Sequence, residues 1–491
     1  MKKIFLLAVA TLGLISCDLT TPPETALDAD KAMANFEGLD DCAAVTYAAF
    51  SSESWYGLDL QLYPDAMAGN CVVGVPLNSG RGMSWHQWNF TASGGFSMYG
   101  NAYINILRCN NVIHAIKTNS EKYLSEEGVT QQMLDNIMAE CLFVRAYCYF
   151  DLVRWYAQPY AVSAAATEGS VEALGVPIVD EDPNVSVVDK PARAAVADNY
   201  TNIGTDLTTA LEIIEPGFTR PGVHDTKCCV SEGAIEALLA RVYLYMQDYE
   251  NAELHATNVL NSGVYRIATA DEYADPRDDY YGFWNETEWT GVGEVIFGAY
   301  FGPAEGSTII GNVTHPEEYG DVRVSEDLLA LFSDGDRRKE MLRTSDEHGG
   351  YYWPNKYQGK ERQMAFASIP MIRTSELYLI RAEARLLKQG SDVAGALSDL
   401  NVIASNRNAT EYQTVSMNEV FNERRKELAF EGHIFHDYKR LIGTPYQRDL
   451  KRTDVSSDMN KDVPADSKLW CMPFTESEFD VNPNLVQNPG W

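Results

Sequence analysis

Two irregular stretches of the chain combine tryptophan with planar polar side chains. They are residues 63–99 and 273–301, and neither shows a helical period. Tryptophan offers a large rigid ring with an N–H donor, while arginine and asparagine offer planar hydrogen-bonding groups. Sugar rings stack on aromatic rings and pair their hydroxyls with such groups, so these stretches predict a carbohydrate-binding surface. The candidate ligand residues are Asp65, Arg81, Trp85, Trp88, Asn89, Tyr281, Trp284, Asn285 and Trp289.

The same tryptophans have a structural interpretation, in which their rings pack the loops onto the core. Long loops in compact proteins usually carry function, so we expect at least two of the four tryptophans to be exposed together. Asp65, which follows Tyr63 and Pro64, is a weaker polar candidate. The next aromatic candidates are Tyr351, Tyr352 and Trp353.

Catalytic motifs are absent from the sequence. It contains no HExxH, no phosphate-binding GxxxxGK[ST] and no GxSxG. The tightest histidine pair is His433 and His436, whose neighbours Ile434 and Phe435 are apolar, so we interpret the pair as structural. The sequence therefore predicts no enzyme activity, no cofactor and no metal site. A glycoside hydrolase, the enzymatic alternative, would need two carboxylates roughly 5–9.5 Å apart in a cleft, and no segment singles out such a pair.

A dense charged cluster lies near the C-terminus. Glu423, Glu427 and Glu431 fall on one helix face at i,i+4 spacing. Carboxylates this close repel one another unless cations intervene. The pattern therefore predicts a structural ion network that locks the C-terminal helix to the rest of the body. The other charged residues assigned to such networks are Arg373, Glu376, Arg381, Glu383, Arg424, Arg425, Asp437 and Arg440.

Helical periodicity dominates the segments that must position these residues. Residues 99–113 place their apolar side chains on one helix face, and residues 140–156 are apolar nearly all round, which predicts a buried helix. Residues 161–190 carry prolines and predict a long loop. A helix over 192–214 follows, closed by a proline and a glycine.

Pairs of helices repeat at a fixed spacing. With Ala240 as the anchor, Ala252 lies at +12, and Ala384 and Ala396 have the same separation. These offsets match the tetratricopeptide pattern, in which small residues lie where two antiparallel helices cross closely. Ala146 begins a third copy that a long loop interrupts. The predicted fold class is mainly α: tetratricopeptide-like helical-pair repeats with long irregular loop insertions forming a ligand site.

Charge disfavours two classes of ligand. The 491 residues include 70 acidic and 39 basic residues, a formal net charge of −31. Nucleic acid binding needs a basic surface, so nucleic acid is excluded as a partner. Anionic glycans are disfavoured as the main ligand for the same reason.

The chain begins with an export signal that ends at a cysteine. Lys2 and Lys3 precede an apolar run over residues 4–15, and Ser16 precedes Cys17. The run is too short to span a hydrocarbon core of ~30 Å. The Leu-x-Ser-Cys ending resembles a bacterial lipobox, which predicts a lipoprotein signal peptide over 1–16 and lipidation of Cys17; an ordinary secretory signal is the alternative. Residues 17–33 then predict a polar lipidated tether.

The eight cysteines that follow Cys17 contain no CxxC pair. The sequence therefore lacks a zinc or redox motif of that type. Cys141 and Cys148 lie in a helical stretch, where cysteine behaves as a small apolar residue. We expect mostly free, buried thiols, and disulfides are the alternative in an exported protein.

Segments distributed along the whole chain resemble, in order, the SusD/RagB family of bacterial outer-membrane nutrient-binding lipoproteins. Residues 145–160 look like the family's central N-terminal helix, and residues 231–267 are similar to its repeat unit. Residues 369–390 and 422–442 match its two C-terminal signatures, and residues 469–491 resemble its closing motif. Two small departures lie in that last motif, at Cys471 and at Trp491. The shorter matching segments are 332–338 and 355–357.

The resemblance implies one compact helical body at the cell surface, lipid-anchored in the outer membrane. Its N-terminal region with ligand loops spans 34–225 and its C-terminal region spans 226–491. The implied partners are an oligosaccharide or polysaccharide ligand and a SusC-type TonB-dependent transporter that takes the nutrient up. The alternatives for the ligand and role are an oligopeptide, the glycoside hydrolase considered above, and a protein scaffold, since tetratricopeptide arrays commonly bind proteins.

Overall fold

The protein is mainly helical. The computed structural model describes residues 29–93, 98–182, 189–222, 226–274, 282–285, 293–303, 306–359, 362–452 and 462–491. In chain order the helices are α1 (Ala29–Ala32), α2 (Phe36–Tyr47), α3 (Asp59–Met67), α4 (Met83–Gln87), α5 (Met98–Leu124), α6 (Gln131–Tyr156), α7 (Tyr160–Ala165), α8 (Val196–Ile213), α9 (Glu232–Met246), α10 (Tyr249–Asn261), α11 (Ala270–Tyr273), α12 (Gly282–Asn285), α13 (Ile310–Val313), α14 (Glu326–Leu329), α15 (Thr374–Leu387), α16 (Val393–Asn406), α17 (Met417–Glu427), α18 (Ile434–Arg440) and α19 (Glu476–Val481).

The strands of the described ranges pair two by two, always antiparallel. The pairs are β1 (Cys71–Val73) with β5 (Val322–Val324), β2 (Leu174–Pro177) with β3 (Arg193–Ala195), β4 (Val295–Ala299) with β8 (Ile369–Arg373), β6 (Leu342–Ser345) with β7 (Tyr351–Pro354), and β9 (Leu450–Lys451) with β10 (Asp462–Val463). These ribbons link the loop insertions to one another. Strands β1, β5, β6 and β7 together form a framework under the loops that lie between them.

Helices α9 and α10 form the first predicted pair. Ala240 and Ala252 are fully buried where the two helices cross. Helix α9 ends at Met246, and its C-cap residue Gln247 has a left-handed φ of 62°. Asp248 then caps α10 by accepting a hydrogen bond from the backbone N–H of Asn251 at 3.2 Å. The turn chemistry therefore sets where the second helix begins.

Helices α15 and α16 repeat that arrangement. Ala384 and Ala396 are fully buried, and Asp392 caps α16 by accepting a hydrogen bond from the N–H of Gly395 at 2.8 Å. Ala146 lies in α6, which packs along α8 after the intervening segment. The mainly α, tetratricopeptide-like fold class is therefore confirmed.

Two predictions about irregular segments are wrong in detail. The stretch 63–99 contains the end of α3 and all of α4. Helix α3 is buried from Leu60 to Met67, so it has no polar face and shows no amphipathic period. The predicted loop 161–190 contains β2, which is held by Asn199: its amide accepts from the backbone N–H of Val176 at 2.9 Å and donates to the carbonyl of Val176 at 3.0 Å.

One continuous hydrophobic core contains residues from both predicted regions, from Met33 to Leu485. Ala29–Ala32 is helical and Met33 is 6% exposed, so the last residues of the predicted tether 17–33 pack on the body. Residues 1–28, with Cys17, lie outside the described ranges. None of the described helices has the length and apolarity needed to cross a membrane. The eight other cysteines are free thiols, and most are buried.

Candidate functional site

Trp85 and Trp88 are packing residues in the structure. Trp85 is 8% exposed and stacks on Tyr63, with 5.6 Å between ring centroids. Trp88 is 2% exposed, and its indole N–H donates to the carbonyl of Met67 at 2.9 Å. Both rings tie the segment around α4 to the helical core. This is the structural interpretation that the sequence left open.

Trp284 is also buried, at 3% exposed, with its ring against Tyr273 and Phe283. The ammonium of Lys356 lies 4.6 Å from its ring centroid, a cation–π contact. The expectation that at least two of the four tryptophans are exposed together is therefore wrong, because three of them are buried. Tyr281, Trp289 and the side chain of Asn285 lie outside the described residues.

Asp65 is fully buried in α3 rather than at a surface. Its carboxylate accepts hydrogen bonds from the backbone N–H groups of Phe430 at 2.7 Å and Gly432 at 3.2 Å, and from the amide of Asn70 at 2.7 Å. Burial raises the pKa of Asp65 to about 7, against the lowering effect of these donors. Its contacts join α3 to the turn before α18, which is a structural role.

Arg81 lies at the surface, where its guanidinium covers the ring of Tyr319 at 3.9 Å from the centroid. Tyr319 keeps 41% of its surface exposed. Arg81 also donates to the hydroxyl of Ser79 at 2.7 Å. We call Arg81 and Tyr319 the platform. Asn89 is exposed just after α4, and its backbone N–H donates to the carbonyl of Ser84 at 2.9 Å.

The platform is built on a fixed loop. The carboxylate of Asp321 accepts from the backbone N–H of Ser79 at 2.6 Å, and its carbonyl accepts from the N–H of Gly74 at 2.9 Å. Gly82 has a φ of 71° and lies against Tyr63, where a Cβ would come within 2.6 Å of the ring. Only glycine suits that conformation and approach. Sequence composition could not reveal Tyr319, because its partner Arg81 is distant in the chain.

A polar cleft of about 550 Å³ lies beside the platform. This is within the usual range for small-ligand sites. Its lining residues are Gly311, Thr314, His315, Glu317, Glu340, Leu342, Arg343, Thr344, Pro354, Asn355, Tyr357, Gln358, Arg362 and Met364. The turn 315–320 joins the two features, since it lines the cleft with His315 and Glu317 and carries Tyr319 to the platform.

The turn 315–320 is held by backbone and indole hydrogen bonds. The carbonyl of Asn312 accepts from the N–H groups of Tyr319 at 3.1 Å and Gly320 at 3.3 Å, and the indole of Trp353 donates to the carbonyl of Gly320 at 2.9 Å. Trp353 is fully buried, whereas Tyr352 is 37% exposed and pairs across the ribbon with Thr344 of the cleft. Of these two later aromatic candidates, only Tyr352 reaches the surface.

The predicted C-terminal ion network is confirmed. Arg338 contacts Glu423 at 2.6 Å, Arg407 contacts Glu427 at 2.9 Å, and Arg373 contacts Glu431 at 2.7 Å. Burial alone would raise the pKa of Glu427, but the neighbouring guanidinium groups hold it well below its usual range. The other pairs are Arg241–Glu376, Arg381–Asp399, Arg440–Glu383 and Arg424–Asp437; Arg425 instead donates to Asn70.

His433 and His436 are buried in the same region. Burial, and then nearby arginines, hold both histidine pKa values well below their usual range. The ring of His436 packs edge-on against Trp155, with 4.7 Å between centroids. Across the residues described, no three His, Cys, Asp or Glu side chains are arranged to hold a metal ion.

Residues 231–491 match the SusD family, and residues 37–244 match a family described as starch-binding associating with outer membrane. This chain belongs to the SusD family. Its members are binding proteins, so the chain is a non-catalytic, outer-membrane-associated carbohydrate-binding type of protein. That membership confirms the prediction that the chain is not an enzyme.

Known SusD-family proteins align with this chain over nearly its whole length or over part of it. SusD-like protein P2 of Formosa agariphila is 24% identical over 548 residues, covering 98% of both chains. Starch-binding protein SusD of Bacteroides thetaiotaomicron is 33% identical over 132 residues, 25% of this chain and 21% of that protein. The crystal structure of a SusD superfamily protein from Bacteroides thetaiotaomicron has a TM-score of 0.78 and 27% identity, covering 92% of this chain and 99% of that one.

Proposed function

We propose that this protein is a lipid-anchored, cell-surface lipoprotein that binds an oligosaccharide or polysaccharide and delivers it to a SusC-type TonB-dependent outer-membrane transporter. Family membership supports the carbohydrate class of ligand, and a relative aligned over part of the chain is a starch-binding protein. The export signal ending at Cys17 supports surface anchoring.

The observation that carries the proposal is the platform. Tyr319 is a large exposed aromatic side chain with the guanidinium of Arg81 over one face of its ring. A sugar ring stacks on such an aromatic surface, while the N–H groups of Arg81 donate to its hydroxyls. Of the ligand residues predicted from sequence, Arg81 keeps its proposed contact role. Trp85 has an indirect role, because it stacks on Tyr63 and Tyr63 packs against the loop that carries Arg81.

Substitution of the platform tests this proposal. Affinity electrophoresis through gels containing starch, laminarin, xylan, galactomannan, alginate or polygalacturonate identifies the bound polysaccharide. Tyr319→Ala and Arg81→Ala are then expected to weaken its binding at least tenfold and about threefold, because the first removes the stacking ring and the second removes hydrogen bonds. Tyr446→Ala is the matched control, since Tyr446 is 38% exposed beside the α10 helix.

Three results would count against the platform or the ligand class. Unchanged binding by both platform variants would place the glycan site elsewhere on the chain. Loss of binding by Tyr446→Ala as well would show that the assay reports something other than the platform. Binding of a tryptic peptide mixture, with no polysaccharide retained in any gel, would favour the oligopeptide alternative.

The transporter partner has its own test. Lipidated protein carrying a C-terminal affinity tag is purified from detergent-solubilised outer membranes of its own host. A TonB-dependent transporter is expected to co-purify in stoichiometric amount, and a tagged lipoprotein of another family serves as the control. Recovery of the protein alone, with the transporter left in the unbound fraction, would contradict the delivery role.

A further inference from the structure

The platform and the polar cleft are close enough to serve one extended ligand. Tyr319 of the platform and His315 of the cleft are four residues apart on one turn. Four residues span at most about 14 Å between Cα atoms. A glycan chain that stacks on Tyr319 therefore needs only a few sugar units to reach the cleft.

Asn355 supplies the observation that points to a ligand in the cleft. The residue is 6% exposed and lines the cleft. Its backbone N–H donates to the carbonyl of Met341 at 2.9 Å, but its side-chain amide has no hydrogen-bond partner among the residues described. The amide lines the cleft and is open to it, so water or a ligand must supply its hydrogen bonds. A sugar hydroxyl, which both donates and accepts, satisfies such an amide.

Two further side chains at the cleft, His315 and Glu317, can form hydrogen bonds with sugar hydroxyls. The Nδ1 atom of His315 accepts a hydrogen bond from the backbone N–H of Glu317 at 3.1 Å, so in the neutral ring the proton lies on Nε2, a donor. Burial, followed by the charge of Arg343, lowers the pKa of His315 and keeps the ring neutral near pH 7. The exposed carboxylate of Glu317 is an acceptor on the same turn.

The charges of the described residues that line the cleft balance. Those residues include two guanidinium groups, Arg343 and Arg362, and two carboxylates, Glu317 and Glu340. The chain as a whole has a formal net charge of −31. A balanced cleft on a strongly acidic protein favours an uncharged ligand, because a polyanion is repelled at long range and gains no net attraction at the site.

We propose that the polar cleft is a second subsite for a neutral oligosaccharide chain that also occupies the platform. The inference rests on the proposed function and narrows its ligand to uncharged glycans several units long. In the cleft, Asn355, His315 and Glu317 bind hydroxyls, whereas on the platform Tyr319 binds a sugar face. Length is thus recognised by the two subsites together.

Asn355→Leu tests the cleft, because leucine has the same branched skeleton of four side-chain heavy atoms as asparagine and the substitution removes no hydrogen bond of the described residues. The probe is the ladder of oligosaccharides, from disaccharide to octasaccharide, made by partial hydrolysis of the polysaccharide retained in the gels. By titration calorimetry, wild-type affinity is expected to rise with length. Asn355→Leu is expected to bind the octasaccharide about three- to tenfold more weakly, with an unchanged melting temperature. Asn422→Leu, exposed on α17, is the control and should match wild type.

The outcomes separate this inference from the function on which it rests. Wild-type binding with the same length dependence in Asn355→Leu overturns the cleft subsite and leaves the glycan function intact. A lower melting temperature for Asn355→Leu assigns the amide a structural role and also overturns the subsite. Retention by alginate or polygalacturonate alone overturns the neutral class. Retention by no polysaccharide overturns the proposed function, and the subsite with it.

Discussion

Trp88 is held by interactions of several kinds. Its indole donates to Met67, and its ring packs edge-on against Trp470, with 5.1 Å between centroids. Trp88→Ala removes all of these contacts, so we expect a loss of about 3–5 kcal/mol in the free energy of unfolding. Urea titration followed by circular dichroism measures it. Tyr352→Ala, at an exposed ring, is the control and should stay within about 0.5 kcal/mol of the parent. Equal stability of both variants would contradict a packing role.

His436 couples stability to acid. Burial, followed by the charges of Arg154 and Lys439, holds the pKa of His436 well below its usual range in the folded state. The unfolded residue titrates near pH ~6.5, so below that pH the unfolded chain binds a proton that the folded chain does not. The contribution of neutral His436 to the free energy of unfolding is therefore complete above pH ~6.5. Below that pH it falls by about 1.4 kcal/mol per pH unit.

The measurement for His436 compares wild type with His436→Leu in urea at pH 7.5 and pH 5.5. We expect the stability of wild type relative to the variant to fall by about 1.4 kcal/mol between the two values. Subtraction of the variant removes the opposite contribution of buried acids such as Asp65, whose raised pKa increases stability as pH falls. A constant difference at both pH values would show that the histidine titrates alike in both states.

Single residues differ in how far the sequence predicts their roles. The network of Glu423, Glu427 and Glu431 was predictable because three carboxylates on one helix face require cations nearby. The orientation of Trp88 was not, because it depends on Trp470, far away in the chain. The platform was half predictable: Arg81 has the right chemistry in sequence, but its partner Tyr319 is brought to it by the fold.

At the scale of elements, the close crossing of α15 and α16 is sensitive to side-chain size. Ala396 is fully buried there, while Ala394 is exposed on the same helix. Ala396→Leu inserts methylenes into a filled crossing, so we expect a loss of about 1–3 kcal/mol. Ala394→Leu, the matched control, should change stability little. Thermal and urea unfolding measure both. Two indistinguishable melts would contradict the repeat register.

Elements were predictable where their signal is local. The pairs α9–α10 and α15–α16 follow from a 12-residue spacing of alanines and a capping aspartate in each turn. Helix α3 and strand β2 have no such signal. The first is buried on all sides, and the second depends on hydrogen bonds from Asn199 of a different element.

At the scale of the molecule, Glu427 joins distant segments. Its carboxylate contacts Arg373 at the end of β8, Arg407 after α16 and Arg338 before β6. Glu427→Gln leaves those guanidinium groups buried with less countercharge, so we expect a loss of about 3–5 kcal/mol. Glu411→Gln, at an exposed position, is the control. Unfolding by urea measures both, and a stable Glu427→Gln variant would show that Glu294 and Glu431 suffice to hold the arginines.

The proposed function assigns the anchoring of the molecule in the outer membrane to lipid attached at Cys17. The described helices contain none that could cross a membrane, and two or more acyl chains anchor a protein stably. Cys17→Ala is therefore expected to move the protein from the membrane pellet to the soluble fraction, by immunoblotting after a high-salt wash. Ser16→Ala keeps a small residue before the cysteine and is the control, which should remain in the pellet. A Cys17→Ala protein that still pellets after the wash would show that lipid at Cys17 is not the anchor. A Cys17→Ala protein that is soluble and keeps its glycan affinity would show that anchoring and binding at the platform are separate.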